Sequence, residues 1–295
     1  MPRFIKEGWT LLRQTVSDWI EDRAPEQGAA LAFYTAISLA PLLVLLLRLV
    51  GMVFDEGAAR TEIDHQTNSL IGKEGAEAIA AMIENGAAKG TGLGTTLLSL
   101  ATLLFGASGV FGQLQQSLNT IWEVEAKPGR GIWGFFRDRF LSFAMVMGIA
   151  FLLLVSLVIS AGLAVVGTYL DRLPPAFEFV GRVLNFVLST GVITILFALM
   201  FKVLPDVRMS WRDVWLGAFV TAILFAIGKA AIGLYLGQSA LASSYGAAGS
   251  FVVLLVWIYY SAQILFFGAE LTQVYANRYG SRIRPAENAV KKSER

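Results

Sequence analysis

The sequence predicts an all-α polytopic membrane protein with six transmembrane helices, both termini cytoplasmic, an amino-terminal amphipathic interfacial helix and short extracytoplasmic helices. Three observations lead there. Of 295 residues 55% are hydrophobic and 16% charged, at a mean hydropathy of +0.60, whereas soluble domains run at roughly 45 to 50% apolar and about 25% charged. Six apolar runs, 28–54, 93–117, 140–167, 179–201, 214–236 and 248–270, reach the ~20 residues needed to cross a hydrocarbon core of about 30 Å. The Lys and Arg residues outside them fall mostly on one side: four in 1–27, four in 118–139, three in 202–213 and six in 271–295, seventeen against five on the other side. Retained loops are enriched in positive charge, so the seventeen mark the cytoplasm.

The composition excludes whole classes. Disorder needs low hydrophobicity and high net charge, but the net charge is only +2. With no cysteine there are no disulfides, thiolate metal sites or cysteine nucleophiles. A lone histidine, His65, leaves no histidine pair for a zinc hydrolase or di-iron centre.

Along the chain, residues 1–27 form an amphipathic segment. Ile5, Trp9, Leu12, Val16 and Trp19 recur at spacings of four and three between Lys6, Arg13, Gln14, Ser17 and Asp18. This stripe suits either the cytoplasmic membrane interface or packing on the bundle. The six-helix domain is expected over 28–270, its first span uncleaved because no short apolar core with a small-residue site precedes it. Within that domain, 55–92 is the sizeable extracytoplasmic segment. It carries seven acids and His65, and two short helices are expected there. His65 lacks a ligand partner at metal-binding spacing and reads as solvated surface. The basic tail, 271–295, is expected to be disordered after Tyr279 and drawn to anionic lipid.

Polar residues inside the spans are costly unless they face protein or water, which makes their angular positions informative. On the sixth helix Tyr259, Gln263, Glu270 and Asn277 lie within about 40° of one another. Gln27, Tyr34, Ser38, Pro41 and Arg48 share a face of the first, where Pro41 predicts a kink. Ser99, Thr102, Gly106, Gln113 and Ser117 share a face of the second, whose glycines favour close helix packing. Arg48 lies near the outer end of its span, where snorkelling explains it. Lys229 is about eight residues, or 12 Å, from the next loop, beyond the comfortable reach of its stem. It needs an acid such as Asp55, Glu56, Asp171 or Glu178, or else an anionic ligand. Glu270, at the inner end, is expected to be held by hydrogen bonds from the first helix or by Arg23, Arg137 or Arg212. The uncharged segment Gly237–Ser250 is expected to fold back on the helices or line a wet cavity.

Three stretches carry a family likeness: Gly28–Leu47 (GAALAFYTAISLAPLLVLLL), Phe105–Val124 (FGASGVFGQLQQSLNTIWEV) and Ser243–Ala276 (SSYGAAGSFVVLLVWIYYSAQILFFGAELTQVYA). In them the chain resembles the YihY/BrkB family of bacterial inner-membrane proteins, and the similarity runs over nearly its whole length. The resemblance implies the bacterial cytoplasmic membrane and a six-span architecture. It implies less about activity, since members have been linked to serum resistance and envelope lipid biology and some bear an old ribonuclease label.

Three functions compete. An exporter or flippase for an anionic lipid or amphiphile accounts for the polar stripes, Pro41 and Lys229, with Lys229, Arg48, Tyr34, Ser38, Gln263 and Glu270 as candidate ligand-binding residues. A structural or assembly protein accounts for the amphipathic amino terminus and the glycine-rich second helix. A ribonuclease would need a cytoplasmic cluster of acids and histidines, whereas the densest acids lie in the segment assigned outside. No P-loop pattern is present, and inverted repeats are not evident. No enzymatic activity, cofactor, metal or nucleic-acid partner is expected. The expected partners are membrane lipids, anionic ones among them, with a second copy or another membrane protein as further candidates.

Overall fold

The computed structural model describes residues 3–51, 109–127, 175–238 and 249–292, with isolated residues between 57 and 84; side chains in 39–51 and much of 175–188 and 233–238 are not described. Among the described residues the chain is helical, with two small antiparallel strand pairs. The helices are α1 (Arg3–Glu21), α2 (Ala24–Gly51), α3 (109–121), α4 (Pro175–Val203), α5 (Trp211–Gln238) and α6 (Gly249–Arg278). The strands are β1 (Val124–Ala126), β2 (Val207–Arg208), β3 (Arg284–Pro285) and β4 (Ala289–Lys291). Among the described residues two stretches, Trp211–Ile232 and Phe251–Arg278, are long and apolar enough to cross a membrane.

Local chemistry sets the helix ends. Arg23 takes a left-handed conformation (φ 55°) that ends α1 and lets α2 begin with Pro25 in its first turn, where the missing N–H costs nothing. Pro175 opens α4 for the same reason. Ser210 caps α5, its Oγ accepting from the Arg212 N–H at 3.3 Å. Through Pro41, α2 runs without a break. The sixth helix outruns its expected end, continuing to Arg278.

The chain forms two compact units. The first comprises Met1–Asp22, Leu118–Leu224 and Phe267–Arg295 and so holds both chain ends. In its core Trp122 meets Phe201 edge-on, with centroids 5.9 Å apart, and Phe201 stacks on Phe197 at 6.1 Å. Here α5 and α6 interlock. Thr221 donates to the Gly217 carbonyl of its own helix, and Thr272 to that of Gly268, each at 2.7 Å. Each threonine lies against the other helix's glycine: a Cβ on Gly217 would sit 1.8 Å from Thr272 Oγ1, and one on Gly268 2.0 Å from Thr221 Oγ1. Small residues let helices approach this closely. The second unit, Arg23–Ser117 with Phe225–Phe266, packs Ile232 and Val253 with Val256 and Trp257.

The carboxyl-terminal segment is not a disordered tail. β4 pairs antiparallel with β1, Glu125 opposite Val290, and β3 pairs with β2, Val207 opposite Pro285. Main-chain bonds extend the first pairing at both ends, from Lys127 N–H to the Asn288 carbonyl and from Lys292 N–H to that of Glu123. The correction has a physical cause. A polar, basic segment buries little apolar surface of its own, but its backbone completes edges offered by two distant loops.

Most of the acid-rich segment, His65 included, the third span, most of the second and most of Gly237–Ser250 lie outside the described residues.

Candidate functional site

In the first unit, the last turn of α3 and two loops are tied by one buried aspartate. Asp206, between α4 and β2, accepts from Asn119 Nδ2 at 3.1 Å and Asn288 Nδ2 at 2.7 Å. Its own N–H donates to Asn119 Oδ1 at 2.8 Å, and its carbonyl accepts from Ala286. A second tie uses Asp213 in the first turn of α5, whose carboxylate accepts from the Ser281 N–H at 3.0 Å and hydroxyl at 2.7 Å. Gly280 passes so near this carboxylate that a Cβ there would lie 2.6 Å from it. Around them, Lys202 bonds the Met209 carbonyl and lies over the Trp211 ring, and Arg208 pairs with Glu287.

The same unit holds Glu270, at 0% exposure one of the largest fully buried side chains. Neither carboxylate oxygen has a hydrogen-bond partner among the described residues. The groups that act on it are acids: Asp22 and Asp18 from α1, and Glu123 from the turn after α3. The partners expected for it are therefore replaced: no arginine holds it among the described residues, and Arg137 lies outside them. Asp22 interacts with Glu270 carboxyl to carboxyl, outside ordinary hydrogen-bond geometry. Burial, opposed by Lys292 and by the Glu270 contact and reinforced by Glu123 and Asp18, pushes the Asp22 carboxyl up to about 6. Asp18 is raised too, by burial and then by Glu21 and Glu123.

The other candidates lie in the second unit. Tyr34, part-exposed at 41%, lays its ring on Gly109 and meets Phe33 edge-on. Ser38 is buried and donates to the Thr35 carbonyl of its own helix, so its hydroxyl is spent locally. Gln263 buries both amide heteroatoms without a hydrogen-bond partner among the described residues, packed where a Cβ on Gly28 would sit 2.1 Å from Nε2. Lys229 is exposed on α5, and no ion pair engages it among the described residues. Arg48 lies in α2, its side chain outside the described residues. The glycines of the second span differ in role: Gly109 receives the Tyr34 ring, whereas Gly112 has open space around it among the described residues.

The sequence reading missed the acids around Glu270, the cation Lys292 and the bridge from Asp206. One signal was available: Asp18 and Asp22, four residues apart on one helix, lie on the face opposite the Trp9, Leu12 and Val16 stripe. Among the described residues no group of three or more acid or histidine side chains is placed to hold a metal ion.

Comparison with known proteins places the chain. A UPF0761 membrane protein of Verminephrobacter eiseniae is 28% identical over 268 residues, 90% of this chain and 62% of that relative. One from Vibrio vulnificus is 25% identical over 300 residues, covering 98% and 89%, and one from Pseudomonas aeruginosa is 25% identical over 282, covering 92% and 64%. The chain thus spans less than two thirds of the Verminephrobacter and Pseudomonas relatives. No solved structure matches it. Residues 15–293 match the family described as Virulence factor BrkB, and an integral membrane protein whose family match extends from α1 through β4 belongs to that family.

Proposed function

We propose that this protein is a multi-pass protein of the bacterial inner membrane, with six spans and both termini cytoplasmic, that exports or flips an anionic lipid or amphiphile without being an enzyme. The topology is supported by the first unit, in which α1, the α3 exit, the α4–α5 turn and the carboxyl-terminal strands meet. These are the four segments that the positive-charge count assigns to one side.

The observation that carries the transport reading is Lys229. It stands about 27 Å along α5 from Trp211, in the outer half of the bilayer under this topology. It is exposed, with no acid engaging it among the described residues. A bare ammonium at that depth demands an anion or water, and a lipid phosphate supplies the anion. Arg48, also toward the outer end of its helix, is a second contact in this reading. Tyr34 and Gln263 would line the route, the unpaired Gln263 amide offering hydrogen bonds to a passing headgroup.

Native mass spectrometry of wild type and Lys229→Gln against anionic and neutral lipids tests this. The variant should lose several-fold of the preference for anionic lipid while neutral-lipid binding and thermal stability hold. An unchanged preference in a stable variant would remove the site, and lost stability with an unchanged preference would make Lys229 half of an internal ion pair.

A non-enzymatic structural or assembly role is the second reading. It is favoured by the outward stripe of α1, where Trp9, Leu12, Val16 and Ile20 are 44% to 70% exposed.

A further inference from the structure

Glu270 presents a problem that the Lys229 site does not solve. A carboxylate at 0% exposure with no donor on either oxygen should be too costly to keep ionised. Its charged surroundings are acidic. Asp18 on α1 and Asp22, just past its end, act on it together with Glu123, which is held in a left-handed turn (φ 52°) after α3. Glu21 adds a further negative charge next to Asp18.

Positive charge reaches this group from the carboxyl-terminal segment. The Lys292 main chain is fixed by its bond to the Glu123 carbonyl at 2.8 Å, and its ammonium acts on Asp22. Lys291 pairs with Glu123 at 3.7 Å, with both side chains largely exposed. The cations thus serve Asp22 and Glu123, and none acts on Glu270 among the described residues.

We propose that Asp22 and Glu270 together form a proton-binding site, in which one proton is held between the two carboxyls and is exchanged with solvent through Asp22. Like-charged carboxyls facing each other out of water do not both ionise, and the proton belongs to the pair. Geometry supplies the polarity of the site. Asp22 is half-buried at the end of α1 and Glu270 fully buried on α6, so one member reaches water and the other does not. The absence of a metal-holding group of acids and histidines among the described residues favours a proton over a metal cation here. The site stands whether or not Lys229 holds an anion. Under the transport reading it supplies a coupling-ion position.

The sign of the pH dependence follows from Asp22. Its carboxyl rises from 3.8 to about 6 on folding, so the stability tied to its proton is fully present below the unfolded value and is lost as pH rises through about 6.

The test is infrared difference spectroscopy of the full chain in detergent between about pH 5 and about pH 8, with thermal unfolding at both. Wild type should show protonated-carboxyl absorption that weakens as the pH rises through about 6, together with a falling melting temperature. Asp22→Asn and Glu270→Gln, which keep the side-chain shapes, should each lose the pH-dependent part of the band and flatten the stability slope, with His65 common to all three. A pH-dependent band change retained in both variants, or a wild type with no pH-dependent carboxyl band, would overturn the proposal. The wild-type spectrum decides even where a variant fails to fold.

Discussion

Asp206 shows how much one short side chain organises. Its carboxylate accepts from Asn119 and Asn288, residues 87 positions before and 82 after it, while its backbone closes a ring with Asn119. It is only 8% exposed, and removing the acceptor takes a partner from the buried Asn119 amide and from the part-buried Asn288 amide. An unsatisfied buried group costs about 1 to 3 kcal/mol. Asp206→Ala should therefore lower stability by about 2 to 3 kcal/mol, and Asp206→Asn, which keeps one acceptor, by less. Thermal unfolding in detergent measures both, and wild-type melting in both would show that the bridge is incidental. No local pattern marks this residue, because its partners share no helical or strand spacing with it. Glu270 was legible as a buried polar residue from its place on the sixth helix, but the sign of its neighbours was not.

Between elements, the α5–α6 contact depends on two glycines and two threonines rather than on large apolar side chains. Each threonine is held by a bond to its own helix, so it cannot swing away from an added methyl group. Gly217→Ala and Gly268→Ala should each cost roughly 1 to 3 kcal/mol, the range for overpacking a tight contact. Pairing Gly217→Ala with Thr272→Ala should recover part of the loss, because the clash is between those two positions. Melting temperatures of the single and double variants check this; additive losses would mean that the helices are not in the described contact. The same logic separates the glycines of the second helix, where Gly109 meets the Tyr34 ring and Gly112 meets nothing among the described residues. Glycine spacing alone says where helices are able to approach, and only the facing residue says whether they do.

At the scale of the whole molecule, the four segments richest in Lys and Arg gather in one compact unit. Under the proposed topology, a cysteine at Ser293 should resist a membrane-impermeant thiol reagent in intact cells, while one at Ser69 should react. The chain has no native cysteine to confuse the result. Labelling at 293 but not at 69 would invert the orientation.

By itself the sequence determined the class of molecule, the membrane location and helix positions to within a few residues for α1, α2, α4 and α5. It could do so because apolar run length and charge sidedness are summed over many residues, and the bilayer imposes them on any chain. Tertiary structure alone decided that residues 284–291 are strands, that Glu270 lies among acids rather than beside an arginine, and that glycine and threonine set the α5–α6 approach. Each of these depends on a partner far away in the chain. A strand edge, a buried carboxyl and a small-residue contact take their energy from what faces them, and only the fold supplies that.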